Sequence, residues 1–185
     1  MPDVLFVCTG NRCRSPVADA LTWRALRSRG VPATTASAGL LVGGAPLPAE
    51  TVRVLAKFGI DDHDRLSQQV TVDLLATSTL VVGMDRSHVR EIAVLDPEVW
   101  HHTFTLKEAV RRATDVGPRG VGEALPAWAE RLGAGRNPAD ILGASEADDI
   151  ADPIGAPYRE HERTAELIEE LVDQLVDLAW PDLHG

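Results

Sequence analysis

The chain has 185 residues, of which 44% are hydrophobic and 25% charged, and its formal net charge is −10 at pH 7. This length suits one domain with a sizeable core, the negative charge argues against a nucleic-acid partner, and two cysteines are too few for a disulfide scaffold. No apolar stretch is long enough to span a bilayer and no signal peptide precedes the first apolar run, so we expect a cytoplasmic protein without a membrane partner.

Short apolar runs alternate with helical patterns along most of the chain. The predicted strands are residues 4–7, 34–37, 80–83 and 99–104. The predicted helices are residues 16–29, 48–57, 70–76, 87–94 and 157–179. This alternation predicts an α/β fold, a four-stranded parallel sheet with helices on both faces. Ligands of such sheets bind at the carboxyl ends of the strands.

The turn between the first strand and the first helix carries the most specific motif of the chain. Its residues are, in order, Cys8, Thr9, Gly10, Asn11, Arg12, Cys13, Arg14, Ser15 and Pro16. Backbone N–H groups at a helix N-terminus are unpaired and favour an anion. We therefore predict a phosphate-binding loop after the first strand, in which residues 9–13 contact the substrate.

Four residue types in this loop suit phosphate chemistry. Cys8 lies beside the loop amides and the helix N-terminus, an environment that favours the thiolate, so we expect it to be the nucleophile. Arg14 offers a planar fork of donors that matches two phosphate oxygens. Gly10 and Asn11 tolerate the left-handed backbone that converging N–H groups require.

The residues that open the helix complete the predicted catalytic set. Ser15 suits the N-cap position and Pro16 the first helical position. The Ser15 hydroxyl is also placed to donate a hydrogen bond to the thiolate of Cys8. We therefore expect Ser15 to combine a capping role with a catalytic one.

The pattern Cys-x-Gly-Asn-x-Cys-Arg-Ser-Pro resembles the signature of the low-molecular-weight protein tyrosine phosphatases, whose relatives include bacterial protein arginine phosphatases and thioredoxin-coupled arsenate reductases. Later landmarks follow the family's order, namely Ser37-Ala38-Gly39, residues 80–88, residues 104–108 and Asp152-Pro153. The resemblance implies attack by Cys8 to give a phosphocysteine, with Asp152 as acid and then base. This chemistry needs no metal or other cofactor.

Other residues compete with Asp152 for the role of the acid. Asp96-Pro97 lies between a predicted helix and a predicted strand, where a turn explains it. Asp148 and Asp149 lack a following proline and are typical of a solvated face. His101 and His102 would point to opposite faces of the last predicted strand, so we do not expect them to bind a metal together.

Three departures from the family pattern concern the substrate. Arg12 occupies a loop position that is typically Ile in tyrosine-directed members and Thr in arginine phosphatases. Ile154 stands where tyrosine-directed members carry an aromatic residue beside the substrate ring, and residues 40–46 also lack an aromatic. We predict that Arg12 and Ile154 contact the substrate, which is a phosphorylated protein or a small phosphate ester.

Several functions therefore stay open. The first is a protein-tyrosine phosphatase, and the alternatives within the fold are a protein arginine phosphatase and a small-metabolite phosphatase. No cysteine follows Cys13, which argues against an arsenate reductase. A non-catalytic phosphate-binding module would not need Cys8, Arg14 and Asp152 together. Cys13 either forms a protective disulfide with Cys8 under oxidation or packs as a buried residue.

The connection between Lys107 and Asp152 is longer than in the family. We expect a single phosphatase domain over residues 1–185 with an insertion at about residues 113–150. Leu125, Trp128 and Leu132 have helical spacing, which predicts a short amphipathic helix in the insertion. A lid over the site and a decorated surface loop are the two interpretations.

Overall fold

The computed structural model describes residues 1–181. Its sheet has four strands, β1 (Val4–Cys8), β2 (Thr35–Gly39), β3 (Leu80–Gly83) and β4 (Thr103–Thr105). All neighbouring strands are parallel, in the order β2-β1-β3-β4. The predicted four-stranded parallel sheet is confirmed, and the loop after β1 leaves the carboxyl end of a central strand.

Helices cover both faces of this sheet. They are α1 (Arg14–Ser28), α2 (Ala49–Lys57), α3 (Val72–Ala76), α4 (Arg86–Leu95), α5 (Leu106–Val116), α6 (Leu125–Gly133) and α7 (Tyr158–Ala179). Alternate residues of β1 belong to two separate cores. Phe6 packs with α1, α5, α6 and α7, whereas Leu5 packs with α3 and α4 on the other face. Both cores fix the direction in which β1 delivers Cys8.

The fourth strand is shorter than the predicted range of residues 99–104. Residues Pro97–His102 form a 3₁₀ helix, and only the three residues of β4 pair with the sheet. Asp96 begins this helix by accepting a hydrogen bond from the Glu98 backbone N–H at 3.1 Å, with Pro97 at the first position. His101 and His102 therefore do not alternate as in a strand. Among residues 1–181 no three His, Cys, Asp or Glu side chains group as metal ligands.

Helix α5 is an element that the periodicity did not predict. Thr105 Oγ1 accepts from the Glu108 backbone N–H at 3.1 Å, and the Glu108 carboxylate accepts from the Thr105 N–H at 3.4 Å. This reciprocal pair is a capping box, and Thr-x-x-Glu is its sequence signal. Because α5 continues to Val116, the expected start of the insertion at residue 113 falls inside a helix.

The segment after α5 is packed into the protein core. Leu125, Trp128 and Leu132 are all buried, which confirms the short amphipathic helix as α6. A side chain at Gly133 would overlap the carbonyl oxygen of His101, so the end of α6 lies directly against the 3₁₀ helix. The α6 part of the expected insertion is therefore packed against the core and is not a surface loop. Within residues 1–181 no helix combines the length and the apolarity needed to cross a membrane.

Candidate active site

Cys8 lies at the end of β1, beneath the loop that leads into α1. Its side chain is buried, and its Sγ accepts a hydrogen bond from Ser15 Oγ at 3.1 Å. The same hydroxyl lies 3.2 Å from the Ala38 carbonyl oxygen. Because a serine has one hydroxyl proton, it donates to either the sulfur or the carbonyl at one time. Ser15 therefore has an alternative acceptor whenever the sulfur changes charge.

The expected capping role of Ser15 is wrong. Helix α1 begins at Arg14, Cys13 occupies the N-cap, and no side chain caps the helix. The Val17 N–H already bonds to the Cys13 carbonyl at 3.2 Å, so the first turn starts two residues earlier than expected. Pro16 is consequently the third helical residue and not the first. The uncapped N-terminus leaves its backbone donors for an anion.

Asn11 ties the loop together. It has a positive φ of 49°, as predicted, whereas Gly10 does not. Its side-chain amide donates to Ser15 Oγ at 3.0 Å and to Ser37 Oγ at 2.7 Å. The position that requires a glycine is Gly39, where a Cβ would come within 2.7 Å of the Asn11 nitrogen. The loop thus rests directly on the backbone of β2.

A second polar group, which the sequence did not predict, supports Asn11. Arg65 donates to Ser37 Oγ at 2.9 Å and pairs with Asp19 of α1. The Gln68 N–H donates to Asn11 Oδ1 at 2.8 Å. Burial opposes the charge of Arg65, but the carboxylates of Asp19 and Asp62 outweigh it and raise the arginine pKa. The guanidinium therefore stays charged and holds the loop through Ser37.

Arg14 is buried and has three partners that lie far away in the sequence. Its Nη1 donates to Asp85 Oδ2 and to the Ile150 carbonyl, both at 2.9 Å. Its Nη2 donates to Asp152 Oδ2 at 2.6 Å. The Arg14 Nε is buried without a hydrogen-bond partner among the described residues. The edge formed by Nε and Nη2 therefore carries one empty donor and one donor held by Asp152.

Asp152 lies between the Arg14 guanidinium and the open pocket. Its side chain is 36% exposed and lines the pocket, whereas Arg14 is 3% exposed and does not. Its other oxygen accepts from the Ile154 N–H at 3.1 Å, a local turn that the following proline supports. An anion with two oxygens would satisfy both donors of the Nε and Nη2 edge once Asp152 moves away. The Asp152 carboxylate thus occupies one of the two donors of that edge.

The pocket above Cys8 has a volume of about 160 Å³. It is lined by Cys8, Thr9, Gly10, Arg12, Cys13, Leu41, Asp152 and Ile154. Apart from Leu41, all of these lining residues were predicted for the site. Arg14, also predicted, lies buried beside the pocket. Asn11 and Ser15 lie behind the loop, where they bond to each other and do not line the pocket.

The mouth of the pocket combines aliphatic walls with one cation. Leu41 is 58% exposed and Ile154 is 49% exposed, and no aromatic side chain lines the pocket. Arg12 Nε donates to the Pro46 carbonyl at 2.9 Å, which holds the arginine across the segment after β2. The walls of the described pocket are therefore aliphatic, and none of them is aromatic.

His88 is a neighbour of the loop that the sequence did not predict. The Asp85 N–H donates to His88 Nδ1 at 3.2 Å, so the ring proton is on Nε2, which donates to Thr9 Oγ1 at 3.0 Å. Burial lowers the pKa of His88 to about 4, against opposing attraction from Asp85. The ring is therefore neutral at physiological pH and leaves the Thr9 hydroxyl proton free for the pocket. The sequence signal that could have indicated this contact is a capping box in which Asp85 is the N-cap and His88 stands where Glu is usual.

Cys13 is buried with its thiol protonated. Its pKa is raised to about 11, mainly by burial, although a hydrogen bond from Thr51 at 3.4 Å opposes this. A thiol in this state is a poor nucleophile. Both cysteines are free in the structure.

The competing aspartates do not line the pocket. Asp148 is buried and pairs with Arg86 at 2.6 Å and with Arg111 at 2.8 Å. Asp149 accepts from the backbone N–H groups of Arg86 and Ser145, at 2.8 and 2.7 Å. These contacts attach the end of the segment that follows α6 to α4 and α5. They hold the chain immediately before Asp152 against the sheet.

Comparison with known proteins identifies similar sequences and structures. The model of the low molecular weight phosphotyrosine protein phosphatase family matches residues 3–117. A probable low molecular weight protein-tyrosine-phosphatase EpsP of Ralstonia solanacearum is 38% identical over 105 residues, 57% of this chain and 70% of that protein. A protein-arginine-phosphatase of Bacillus subtilis is 34% identical over 110 residues, 58% and 72% of the two chains.

A solved structure extends the likeness to most of the chain. It is a mutant of the YwlE arginine phosphatase with a phosphorylated active-site serine, with a TM-score of 0.72 and 26% identity, and it covers 98% of this chain and 97% of its own. The family model ends before α6 and before Asp152. The family match therefore covers the loop around Cys8. The assignment of Asp152 to the site depends instead on its contact with Arg14.

Proposed function

The chain belongs to the low molecular weight phosphotyrosine protein phosphatase family, and on that premise we propose that it hydrolyses phosphomonoesters through a phosphocysteine on Cys8. One observation carries the proposal. Arg14 and Asp152 pair at 2.6 Å at the edge of the pocket that Cys8 lines. A nucleophile, an oxyanion-binding fork and an acid thus meet around one small cavity.

Binding of the substrate begins with an exchange at Arg14. The phosphate takes the Nε and Nη2 donors, and Asp152 leaves the guanidinium for the ester oxygen. Cys8 attacks as the thiolate that the loop amides favour, and Asp152, once released from Arg14, takes a proton from the solvent and becomes the acid. Ser15 donates to the thiolate, and Asn11 keeps Ser15 in place.

The first chemical step forms the sulfur–phosphorus bond. As Cys8 Sγ attacks, the bond between phosphorus and the ester oxygen breaks, and that oxygen takes the proton of Asp152. The unpaired N–H groups of the loop and the Arg14 fork stabilise the charge on the phosphoryl oxygens. The products of this step are a free alcohol and a phosphocysteine.

The second step hydrolyses the phosphocysteine. Asp152 removes a proton from water, water oxygen attacks phosphorus, and the thiolate of Cys8 leaves. Inorganic phosphate then departs and Asp152 returns to Arg14. The phosphorylated serine in the YwlE mutant supports a covalent intermediate at the equivalent step of a relative.

The pocket walls bear on the choice of substrate. A phosphotyrosine ring would contact Leu41 and Ile154 but find no aromatic partner. A protein arginine phosphatase is the second candidate, because aliphatic walls suit a substrate without a ring. Arg12 weighs against it, since the guanidinium released from phosphoarginine is itself a cation. Small phosphate esters fit the same cavity.

A turnover panel tests the proposed function. Peptides that carry phosphotyrosine, phosphoserine or phosphoarginine are compared with small phosphate esters, and released phosphate is measured for the wild type and for Cys8→Ser. We expect the wild type to release phosphate from aryl esters and the variant to release almost none. Release of no phosphate from any substrate by folded wild-type protein would contradict the proposal.

A further inference from the structure

The side chain of Arg12 is fixed at the rim of the pocket. Its stem passes near Gly10, where an added Cβ would lie 3.8 Å from Arg12 Cγ. Its Nε is held by the Pro46 carbonyl at 2.9 Å. The two terminal nitrogens make no hydrogen bond or ion pair among residues 1–181. A guanidinium held by Nε alone presents its Nη atoms as a free fork.

The charges around this fork make it an electropositive site. The other lining residues near the mouth, Thr9, Leu41 and Ile154, are uncharged. Asp152 is the acidic residue of the lining, and it pairs with Arg14. When a phosphate takes that place, Asp152 turns to the leaving group and is protonated. Arg12 then has no carboxylate of its own, although most arginines around the site are paired.

We propose that the substrate is a phosphomonoester with a second anionic group, a carboxylate or another phosphate, which binds the free fork of Arg12. This inference rests on the proposed function. The loop amides and Arg14 take the phosphate that is cleaved. The fork of Arg12 takes the second anion at the pocket mouth, as a planar donor pair suited to two oxygens.

Such a second anion comes from one of two sources. In a phosphopeptide it is an Asp or Glu next to the phosphorylated residue, and in a small ester it is a carboxylate or phosphate on the same molecule. The shared chemistry is two anions on one substrate, a short distance apart. Phosphoarginine is disfavoured, since its leaving group brings a cation to Arg12.

The test measures a ratio of kcat/KM between matched substrates. One arm uses phosphotyrosine peptides with Glu or Gln at the neighbouring position, and the other uses aryl phosphates with a ring carboxylate or the corresponding amide. We expect the wild type to prefer the acidic member of each pair by roughly two- to fivefold, the range of a partly exposed ion pair. A preference in one arm alone identifies the source of the second anion.

Three variants assign the preference to Arg12. Arg12→Met should bring the ratio close to one, and Arg12→Lys should keep part of it, because the charge remains while the fork is lost. Arg27→Met is the matched control, since Arg27 is an exposed arginine on α1 that stacks on Trp23, outside the pocket lining. It should keep the wild-type ratio. Raising the salt from low to physiological strength should shrink the preference.

The outcomes separate this inference from the proposed function. Equal ratios for the wild type and Arg12→Met would overturn the role of Arg12 while leaving phosphatase activity intact. If the wild type hydrolyses neither member of any pair, calorimetry with pyrophosphate and phosphate still tests Arg12. We expect Arg12→Met to lose affinity for pyrophosphate more than for phosphate. An equal loss for both anions would overturn the inference.

Discussion

The two sides of the pocket are built in different ways. On the nucleophile side the contact to the reacting sulfur is local, because Cys8 and Ser15 are 7 residues apart, and the longest side-chain hydrogen bond of Asn11 spans 57 residues. On the acid side the contacts are remote, because Arg14 bonds to Asp152 across 138 residues. The nucleophile side is thus built mainly from one strand, one loop and one helix that rest on β2, whereas the acid side depends on packing between distant parts of the chain. The difference implies a preformed anion loop and an acid whose position depends on distant parts of the chain.

The two sides also differ in their electrostatics. Neutral hydroxyl and amide groups surround Cys8, whereas charged pairs hold the acid side. Burial opposes the charge of Asp148, but hydrogen bonds from Arg86 and Arg111 hold its pKa below the usual range. Substitutions on the nucleophile side should therefore abolish the reaction. Those on the acid side should reduce it according to the leaving group.

The largest effect should come from Cys8→Ser. A serine hydroxyl in the same loop is hardly ionised, so steady-state turnover should fall below about one percent of the wild type. The fold should persist, since the exchange removes no packing volume of consequence from a site held by Ser15 and Asn11. Phosphate release and far-UV circular dichroism check both points. Turnover well above that level would remove Cys8 as the nucleophile.

Asp152→Asn should have the next largest effect, and it sharpens the comparison. Loss of the acid should slow esters with poor leaving groups by roughly 10² to 10⁴, the usual contribution of general acid catalysis. Activated aryl phosphates should form the phosphocysteine at nearly the wild-type rate, because their leaving groups need no proton. The measurement is kcat/KM across a series of leaving groups.

Asp96→Asn is the control for this prediction. Asp96 also precedes a proline, but it caps the 3₁₀ helix, a role that asparagine fills equally well. It should behave like the wild type throughout the series. If Asp96→Asn showed the leaving-group dependence and Asp152→Asn did not, the acid would be misassigned.

Asp148→Asn should have a smaller effect on turnover. It leaves Arg86 and Arg111 without their carboxylate, and a lost charged hydrogen bond costs about 2 kcal/mol of unfolding free energy. The chain before Asp152 should then hold the acid less well, so poor leaving groups slow by several-fold while activated ones do not. Urea unfolding and the same leaving-group series measure the two effects. A uniform loss across the series would show a purely structural role for Asp148.

Substitution of His88 should have the smallest effect on turnover. Its main consequence should be a change in how the free energy of unfolding depends on pH. His88 is neutral in the fold down to a pKa of about 4, while an unfolded histidine protonates near 6.5. As pH falls from 6.5 to 4 the unfolded state therefore binds a proton that the folded state does not, and stability is lost. The loss should approach roughly 3 kcal/mol at the lower limit.

The comparison of wild type with His88→Gln isolates this contribution from the carboxylates. Glutamine keeps a donor for Thr9 and does not titrate. Unfolding free energies measured at several pH values between 6.5 and 4 should decline more steeply for the wild type. Parallel curves would mean that His88 is not held neutral in the fold.

The sequence predicted the local side of the pocket better than the remote one. The loop motif placed Cys8, Asn11 and Arg14 in the site correctly, because all three belong to one turn between a strand and a helix. It gave no sign of Asp85 or His88, whose partners are 71 and 79 residues away. Pairs at that separation depend on the strand order of the sheet, which periodicity does not specify.

The errors in the prediction have local causes. Ser15 was expected at the N-cap because of its residue type, but the helix starts earlier and leaves its backbone N–H groups for an anion. The apolar and aromatic side chains of residues 99–104 predict a strand. Asp96 and Pro97 instead start a 3₁₀ helix that continues to His102. At residues 97–102 a helix-start signal outweighed the composition of the run, whereas at Ser15 the residue-type signal for an N-cap was misleading.

Trapping of the covalent intermediate tests the central claim most directly. The wild type is mixed with a radiolabelled aryl phosphate, quenched within the first turnover, and digested to locate the label. We predict phosphate on Cys8, formed faster than phosphate is released and accumulating further in Asp152→Asn, which lacks the base for hydrolysis. Release of phosphate with no labelled protein, or label on Cys13 in place of Cys8, would contradict the account.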